Sequence, residues 1–255
     1  MTDLITPARA ELLRRGHVVL ADVIARGQID RLGAELEELF TRWAEEIEVP
    51  REEYLEVVSQ VTNVWEQSRV FETQLQDPRL AEIAAGLIGC ERTRVFHDHL
   101  IVKPPRGGAT VPWHRDFPNW PLEMPRAVSC WIPLDDVTAD SGALRFMPGG
   151  HLEPITPSID FLNEAKDWGD RLSEVEAVPV RRGSVVFHHC LSWHTTPPNQ
   201  TDNWRRAYVV IYMDADSRFS PERAPWHPMT GRVTAAAGER FNDDVFPRLG
   251  RKEVS

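Results

Sequence analysis

The sequence of 255 residues predicts a single domain in which N-terminal helices pack on a mainly β core. Apolar residues recur at three- and four-residue steps in the first third of the chain, which is typical of amphipathic helices. After residue 92 the pattern changes to short β-rich runs that are separated by glycine and proline turns. Many short strands with such punctuation favour a barrel or a sandwich over alternating βαβ units.

Two helices are predicted in the N-terminal region. The first carries one apolar face, opposite an acidic face that solvent would cover, and that apolar face consists of Ile29, Leu32, Leu36, Leu39, Phe40, Trp43 and Ile47. The second helix is predicted over residues 78–88. Asp77 would be its N-cap, Pro78 its first residue and Gly89 its terminator, because each residue type suits that position.

The β-rich runs lie in the central part of the chain, at 95–102, 127–134, 143–147, 184–190 and 207–213. We therefore expect one domain over 1–255, with a mostly helical layer at 1–92, a β core at 93–215 and an irregular tail at 216–255. Residues 152–180 resemble an insertion with a helical middle, and a loop of this length beside a site often closes over substrate.

Composition excludes several classes of partner. The formal net charge of −10 argues against a nucleic-acid groove or an anionic membrane surface. The apolar runs are too short for a membrane helix, and the N-terminus lacks signal-peptide features. The three cysteines, Cys90, Cys130 and Cys190, are too widely spaced for a disulfide framework. We therefore expect a cytoplasmic protein with reduced thiols that acts on a small molecule.

The first chemical motif is the H-x-D pair formed by His114 and Asp116. Residues two apart in a strand share a face, so this pair can present an imidazole and a carboxylate to one metal ion. A surface ion pair is the simpler interpretation of the motif alone. The letters H-R-D also occur in protein-kinase catalytic loops, but Pro121 stands where that loop requires asparagine.

The second motif is His194, which ends a β-rich run 80 residues after His114. Two histidines and one carboxylate form the facial triad of non-haem iron oxygenases. Such a triad occupies one face of an octahedron and leaves three positions open. A bidentate 2-oxo acid fills two of them, and dioxygen fills the third.

The third motif is Arg205, eleven residues after His194 and across a predicted hairpin. A cofactor carboxylate near the metal needs a planar and permanently charged partner, which arginine provides. Arg205 and Arg206 would point to opposite faces of their strand. Alternation alone does not decide which of the two enters the barrel, because both faces of this run are apolar.

Several stretches in this order make the chain resemble the phytanoyl-CoA dioxygenase family of iron- and 2-oxoglutarate-dependent oxygenases. The resemblance runs from about Gly16 into the C-terminal tail and rests on residues 100–104, 113–116, 131–136, 140–144, 148–151 and 194–205. It implies a double-stranded β-helix core, a jelly roll related to cupins. The family position eleven residues after the distal histidine selects Arg205 over Arg206.

The resemblance also implies a set of site residues. Iron(II) would be bound by His114, Asp116 and His194, and the far carboxylate of 2-oxoglutarate by Arg205 with help from the hydroxyl of Thr196. The same pocket would be lined by Trp131 and Lys103. Two positions depart from the family pattern, which usually has Gln at 115 and Ser at 150. We expect Arg115 to face the substrate pocket, as the residue at this position often does in the family.

The resemblance therefore predicts an oxygenase that uses iron(II), 2-oxoglutarate and dioxygen to oxidise an unactivated C–H bond. Hydroxylation is the default outcome, and desaturation, cyclisation and epimerisation remain open. The alternatives are a metal-dependent jelly-roll enzyme without 2-oxoglutarate and a non-catalytic binding module. The substrate is expected to be a small metabolite such as a natural-product intermediate, preferably apolar or polycyclic. Of the other histidines, His97 and His99 are interpreted as strand positions near the pocket.

Overall fold

The computed structural model describes residues 2–57, 59–155 and 166–250. The N-terminal region is mostly helical, as predicted. In the described part of the chain the α-helices are α1 (Thr2–Arg15), α2 (Arg26–Glu46), α3 (Arg51–Val57), α4 (Arg69–Leu75) and α5 (Pro78–Ile88). No described helix combines the length and the apolarity needed to cross a membrane.

The two predicted helices are confirmed as α2 and α5. The predicted apolar face of α2 is buried from Ile29 to Trp43, but Ile47 lies just beyond the helix end and is 58% exposed. Its prediction as a buried residue was wrong because the periodicity continues one residue past the helix. In α5 the Asp77 carboxylate accepts from two backbone amides, and Gly89 ends the helix in the left-handed region at φ 78°.

All five predicted strands are present, and shorter strands accompany them. The described strands are β1 (His17–Leu20), β2 (Gln60–Thr62), β3 (Thr93–Lys103), β4 (Val111–His114), β5 (Ala127–Pro133), β6 (Leu144–Phe146), β7 (Glu176–Val178), β8 (Val185–His189), β9 (His194–Thr196), β10 (Arg205–Asp214) and β11 (Arg248–Leu249).

These strands form two antiparallel sheets. The larger sheet has the order β1-β8-β5-β10-β3-β11, with β2 also paired to β3. The smaller sheet has the order β4-β9-β6-β7. One apolar cluster contains side chains from both sheets, so the sheets pack face to face. This arrangement is the predicted double-stranded β-helix, and it confirms the fold class.

The larger sheet has two distinct faces. Tyr208, Val210 and Tyr212 of β10 belong to the cluster that the sheet shares with the helices. Val209 and Ile211 belong to the cluster between the two sheets. Alternation along β10 therefore directs successive residues to the helical layer and to the barrel interior.

Three sequence expectations on connections need revision. Residues 176–178 form β7, which pairs with β6, so the segment 152–180 contributes a strand to the barrel. Its predicted helical middle falls partly at 156–165, outside the described residues. Arg205 does not follow His194 across a hairpin, because β9 and β10 belong to different sheets. The tail contributes β11 and four core side chains, namely Phe219, Met229, Phe241 and Phe246.

Candidate functional site

The three predicted metal ligands converge at one point between the sheets. The ligand atoms of His114, Asp116 and His194 all lie within 4.8 Å of one another, and no other described group of this kind has such an arrangement. Asp116 Oδ1 lies 3.6 Å from His114 Nε2 and 3.7 Å from His194 Nε2. The two imidazole rings are 4.0 Å apart. Two imidazole nitrogens and one carboxylate oxygen that face each other suit a divalent first-row metal ion such as iron.

The local structure that joins His114 to Asp116 differs from the predicted strand. His114 is the last residue of β4 and lies opposite His194 of β9. Asp116 has left the strand, with helical dihedral angles of φ −72° and ψ −50°, and precedes a short 3₁₀ turn. The carboxylate therefore reaches the two imidazoles because the chain turns after His114, and strand alternation is not the reason.

Backbone carbonyls fix the orientation of both histidine ligands. His114 Nδ1 lies 2.8 Å from the Pro112 carbonyl, and His194 Nδ1 lies 3.0 Å from the Ser192 carbonyl. Because a carbonyl only accepts hydrogen bonds, each Nδ1 carries the proton and donates. Each Nε2 is then the lone-pair atom, and both Nε2 atoms face Asp116.

Two residues that the sequence analysis missed hold the other carboxylate oxygen of Asp116. The Ser129 hydroxyl donates to Asp116 Oδ2 at 2.9 Å, and His188 Nε2 donates to the same oxygen at 3.2 Å. With Oδ2 held by two donors, Oδ1 is the oxygen that faces the histidines. A signal for Ser129 existed, because it lies two residues before Trp131 on the same strand face.

Protonation states in the cluster also favour metal binding. Burial and the neighbouring His114 lower the pKa of His194 well below its ordinary value. Burial raises the pKa of Asp116, but the adjacent His194, His114 and His188 outweigh it and hold the pKa well below the ordinary range. A neutral imidazole and an ionised carboxylate are the ligand forms that a metal ion requires.

Arg205 points into the barrel, while Arg206 points to the helical side. The side chain of Arg205 is 0% exposed, and none of its three guanidinium nitrogens has a hydrogen-bond partner in the described structure. Burial lowers its pKa to about 10, which leaves it charged at neutral pH. Arg206, by contrast, pairs with Asp135 and Glu37. A buried, charged and unpaired guanidinium requires an anion, and a cofactor carboxylate meets that requirement.

The other predicted cofactor residues surround Arg205. Lys103 of β3 lies opposite Arg205 in the strand register, and the Trp131 ring lies 5.9 Å from the guanidinium carbon. The Thr196 hydroxyl is buried without a partner among the described residues. Burial and the nearby Arg205 lower the pKa of Lys103 to about 7. Lys103 Nζ donates to the carbonyl of Ala109.

Two glycines make room for the Lys103 side chain. Gly142, in the Asp-Ser-Gly motif, has φ +88°, and a Cβ there would lie 3.0 Å from Lys103 Cδ and 2.9 Å from the Pro197 carbonyl. Gly108, at φ +80°, would place a Cβ 2.9 Å from Lys103 Cγ. Both positions therefore need glycine for the backbone angle and for the close approach. The motif contributes to the site by packing the lysine stem.

The expectation that Arg115 faces the substrate pocket was wrong. Arg115 is buried and donates to the carbonyls of Gly150 and Pro154, both at 2.8 Å. Its guanidinium lies 4.8 Å from the centre of the Trp193 ring. The residue between two ligands on a turning chain points away from the metal. Arg115 therefore ties the loop after β6 to the metal-binding turn.

A cavity of about 540 Å³ opens on the triad. Trp120 and Trp131 line it, as expected for one or two of the tryptophans, and so do His97 and His99. Asn119, Trp226 and His227 line it as well and were missed. Trp226 and His227 lie in the tail, whose composition gives no sign that it returns to the barrel.

Comparison with known proteins identifies the family. The model of the phytanoyl-CoA dioxygenase family, PhyH, matches residues 12–207, which is more than half of the chain. The chain therefore belongs to this family, as its motifs predicted. The family match agrees with the class that the motifs predicted, the iron- and 2-oxoglutarate-dependent dioxygenases.

Individual relatives resemble the chain to differing extents. Ectoine dioxygenase of Bordetella parapertussis is 28% identical over 242 residues, which cover 84% of this chain and 77% of that protein. Phytanoyl-CoA dioxygenase domain-containing protein 1 of Mus musculus is 28% identical over 158 residues, which cover 57% of this chain and 53% of the mouse protein. The match thus spans about half the length of the mouse relative.

A solved structure resembles nearly the whole fold. It is the non-haem α-ketoglutarate-dependent carbocyclase SnoK from nogalamycin biosynthesis, with a TM-score of 0.78 and 25% sequence identity. The superposition covers 96% of each chain. The helical layer and the jelly roll are therefore both shared with an enzyme of this class.

Proposed function

We propose that this chain oxidises a C–H bond of a small metabolite at an iron(II) ion held by His114, Asp116 and His194, with 2-oxoglutarate as co-substrate. The observation that carries the proposal is the Arg205 guanidinium, which is fully buried and has three unpartnered nitrogens in the described structure. An uncompensated buried charge costs folding free energy, so its presence indicates a missing anionic ligand. The dicarboxylate 2-oxoglutarate supplies such an anion.

This observation also weighs against the two alternatives. A jelly-roll enzyme that works without 2-oxoglutarate has no need of a buried arginine beside its metal cavity. A binding module has no use for a triad whose ligands share one face. A site that binds iron, 2-oxoglutarate and a substrate together accounts for both the buried arginine and the triad.

The residues have distinct tasks in the proposed reaction. The bound iron with 2-oxoglutarate supplies dioxygen activation, coupled to decarboxylation of the co-substrate to succinate and carbon dioxide. Arg205 holds the far carboxylate, assisted by the Thr196 hydroxyl. Lys103 adds positive charge at the same end. The Trp131 ring covers the guanidinium and limits access of water to that ion pair.

Hydroxylation is the proposed default outcome, and desaturation, cyclisation or epimerisation are the other outcomes that the same site supports. The names of two relatives, an ectoine dioxygenase and a carbocyclase from nogalamycin biosynthesis, support a small-molecule substrate and include a cyclisation. A cavity of about 540 Å³ has room for such a molecule next to 2-oxoglutarate.

Formation of succinate from 2-oxoglutarate tests the proposal. We expect the full chain to form succinate under air only when iron(II) is supplied, as measured by mass spectrometry. The His194→Ala chain is the negative control, and the Arg206→Ala chain should behave like the wild type. Succinate formation that persists equally without iron, or in His194→Ala, would contradict the proposed site.

A further inference from the structure

The cavity has a second set of unpartnered polar atoms, remote from Arg205. His97 Nε2, His99 Nδ1 and Asn119 Oδ1 are all buried and lack hydrogen-bond partners among the described residues. All three residues line the cavity. Buried polar atoms in folded proteins are normally hydrogen-bonded, so three orphans in one cavity indicate a ligand that is to supply the partners.

The position of these atoms separates them from the cofactor end. His97, His99 and Lys103 share the inner face of β3, because the spacings between them are two, four and six residues. Six residues separate His97 from Lys103, which corresponds to about 20 Å along the strand. The 2-oxoglutarate carboxylate end is at Lys103 and Arg205. The histidines therefore lie in the part of the cavity that is left for the substrate.

Two of these atoms must be hydrogen-bond acceptors, because their neighbours take the donors of the same side chains. His97 Nδ1 lies 3.4 Å from the Asp98 carbonyl and must donate to it, so its Nε2 is an acceptor. Asn119 Nδ2 donates to the Arg115 carbonyl at 3.0 Å, which leaves Oδ1 as a free acceptor. A ligand must therefore bring hydrogen-bond donors to this end.

The charge of this end is close to neutral. Burial lowers the pKa of His97 well below its ordinary value, and that of His99 and His227 to about 4, so none of these imidazoles carries a charge at neutral pH. Lys103 is the lone lysine or arginine among the described lining residues, and it lies at the opposite end. A phosphate, sulfonate or carboxylate would find no cation at this end, and burying it without a charged partner would be costly.

Aromatic and aliphatic side chains line the rest of this end, since Ile211 lies opposite His97 in the strand register. The Trp120 ring lies 6.3 Å from His97, edge to face, and His227 stacks on Phe96 at 5.4 Å. Trp226 lies at the mouth of the cavity and is 60% exposed. Flat apolar walls of this kind suit a ring system.

We propose that His97 and Asn119 accept hydrogen bonds from the hydroxyl groups of an uncharged ring-containing substrate, whose ring packs on Trp120. The inference rests on the proposed function only in taking this molecule as the one that is oxidised. Charged thioesters of coenzyme A do not fit this end. A second metal ion at the histidines is not supported, because their ligand atoms do not form a group within metal-binding distance in the described structure.

Calorimetric titration of the full chain with three matched probes tests this proposal. The probes are 2-naphthol, 2-methoxynaphthalene and 2-naphthalenesulfonate, which share a ring system and differ in the donor and in the charge. We expect 2-naphthol to bind about tenfold more tightly than the methyl ether, which is the effect of one hydrogen bond of about 1.4 kcal/mol. The sulfonate should bind more weakly than either.

Variants show whether His97 is the acceptor. His97→Phe should reduce the preference for 2-naphthol over the ether to less than about threefold, and His97→Gln, which keeps an acceptor, should restore part of it. His189→Phe is the matched control, because His189 lies outside the cavity lining. Equal binding of naphthol and ether by the wild type, tighter binding of the sulfonate, or no binding of naphthol would each overturn the proposal.

The titration is independent of the proposed catalytic function. It is carried out in the presence of a chelator and of saturating 2-oxoglutarate, so that the Arg205 end is occupied and neither iron nor turnover is involved. A chain that forms succinate but shows no naphthol preference would keep the function and lose this inference. A chain that shows the naphthol preference but forms no succinate would support this inference and contradict the proposed function.

Discussion

The two faces of β3 and β10 hold buried polar groups in opposite states. On the face toward the helices, the Tyr208 hydroxyl donates to Asp98 at 2.7 Å, and the Tyr212 hydroxyl donates to the Leu75 carbonyl at 3.1 Å. On the face toward the smaller sheet, Arg205 and His97 have nitrogens without partners in the described structure. Of these groups on the helical side, only Asp98 Oδ1 is left without a partner, whereas on the cavity side every guanidinium nitrogen of Arg205 is unpartnered in the described structure.

This difference distinguishes structural groups from functional groups. A buried polar group without a partner costs about 1–3 kcal/mol, so a folded chain keeps few of them without a reason. On the helical face the partners are part of the fold, and the groups stabilise it. On the cavity face the partners are expected to be ligands, and the fold leaves the groups ready for them.

Removal of a metal ligand should have the largest effect on the cavity face. We expect His114→Ala, Asp116→Ala and His194→Ala each to abolish turnover while the chain remains folded, because the triad has no spare ligand. Metal analysis and circular dichroism of each purified variant measure the two properties. If His194→Ala kept the iron content and the activity of the wild type, His194 would not be a metal ligand, and the cavity face would not be the functional face.

The adjacent arginines provide the next comparison, because they lie on opposite faces of β10. Loss of a charge-assisted hydrogen bond of roughly 1.5–3 kcal/mol should raise the 2-oxoglutarate concentration for half-maximal activity by roughly 10- to 150-fold in Arg205→Ala. Arg206→Ala should change it by less than about threefold, since Arg206 pairs with Asp135 and Glu37 and with no residue that lines the cavity. If Arg206→Ala is the impaired variant, the cofactor site lies on the other face.

A similar pair of neighbours exists on β8. His188 donates to Asp116, whereas His189 lies outside the cavity. We expect His188→Leu to weaken iron binding by roughly 10- to 100-fold, the usual effect of removing a residue that orients a ligand. His189→Leu is the control, and competition with a chelator measures both affinities. Equal affinities would show that Asp116 needs no support from His188.

Titration of a group on the helical face should change the free energy of unfolding and should leave activity unchanged. Burial raises the pKa of Asp98 from 3.8 to about 7. The folded chain therefore holds a proton that the unfolded chain releases above about pH 4, and stability falls as pH rises from about 4 to about 7. The slope approaches ~1.4 kcal/mol per pH unit at most.

Asp98→Asn should remove this slope, because an amide does not titrate, and should leave the 2-oxoglutarate dependence unchanged. Denaturant unfolding at several pH values provides the measurement. The wild-type slope persisting in Asp98→Asn would mean that another group titrates, and a changed 2-oxoglutarate dependence would mean that the two faces are coupled.

Local signals in the sequence were sufficient for most of the elements. The capping residues of α5 and the β-rich runs predicted helix and strand positions correctly, because these signals depend on neighbouring residues. The turn after His114 was not predictable from alternation, since one residue of turn replaces one residue of strand without changing the H-x-D spacing. The position of Ile47 was also not predictable in this way, because the apolar periodicity continues one residue past the end of the helix.

The residues of the site that were predicted are those that belong to motifs of fixed spacing. The triad side chains come together in the structure, and Arg205 lies beside Lys103 and Trp131. Ser129 and His188 support Asp116 through contacts between strands that are far apart in the sequence. Trp226 and His227 reach the cavity because the tail folds back onto the barrel. Arg115 was misplaced because its direction depends on a turn that the family spacing does not encode.

On the cavity face, we propose that Arg205 binds 2-oxoglutarate at iron held by the triad. Anaerobic titration of the iron(II)-loaded chain with 2-oxoglutarate tests it most directly, because the iron chelate has a metal-to-ligand charge-transfer band. We expect the band in the wild type and in Arg206→Ala, and we expect Arg205→Ala to need roughly 10- to 150-fold more 2-oxoglutarate to develop it. A wild-type chain that binds iron but shows no band, or an Arg205→Ala chain that titrates like the wild type, would show that Arg205 does not hold the co-substrate at this iron.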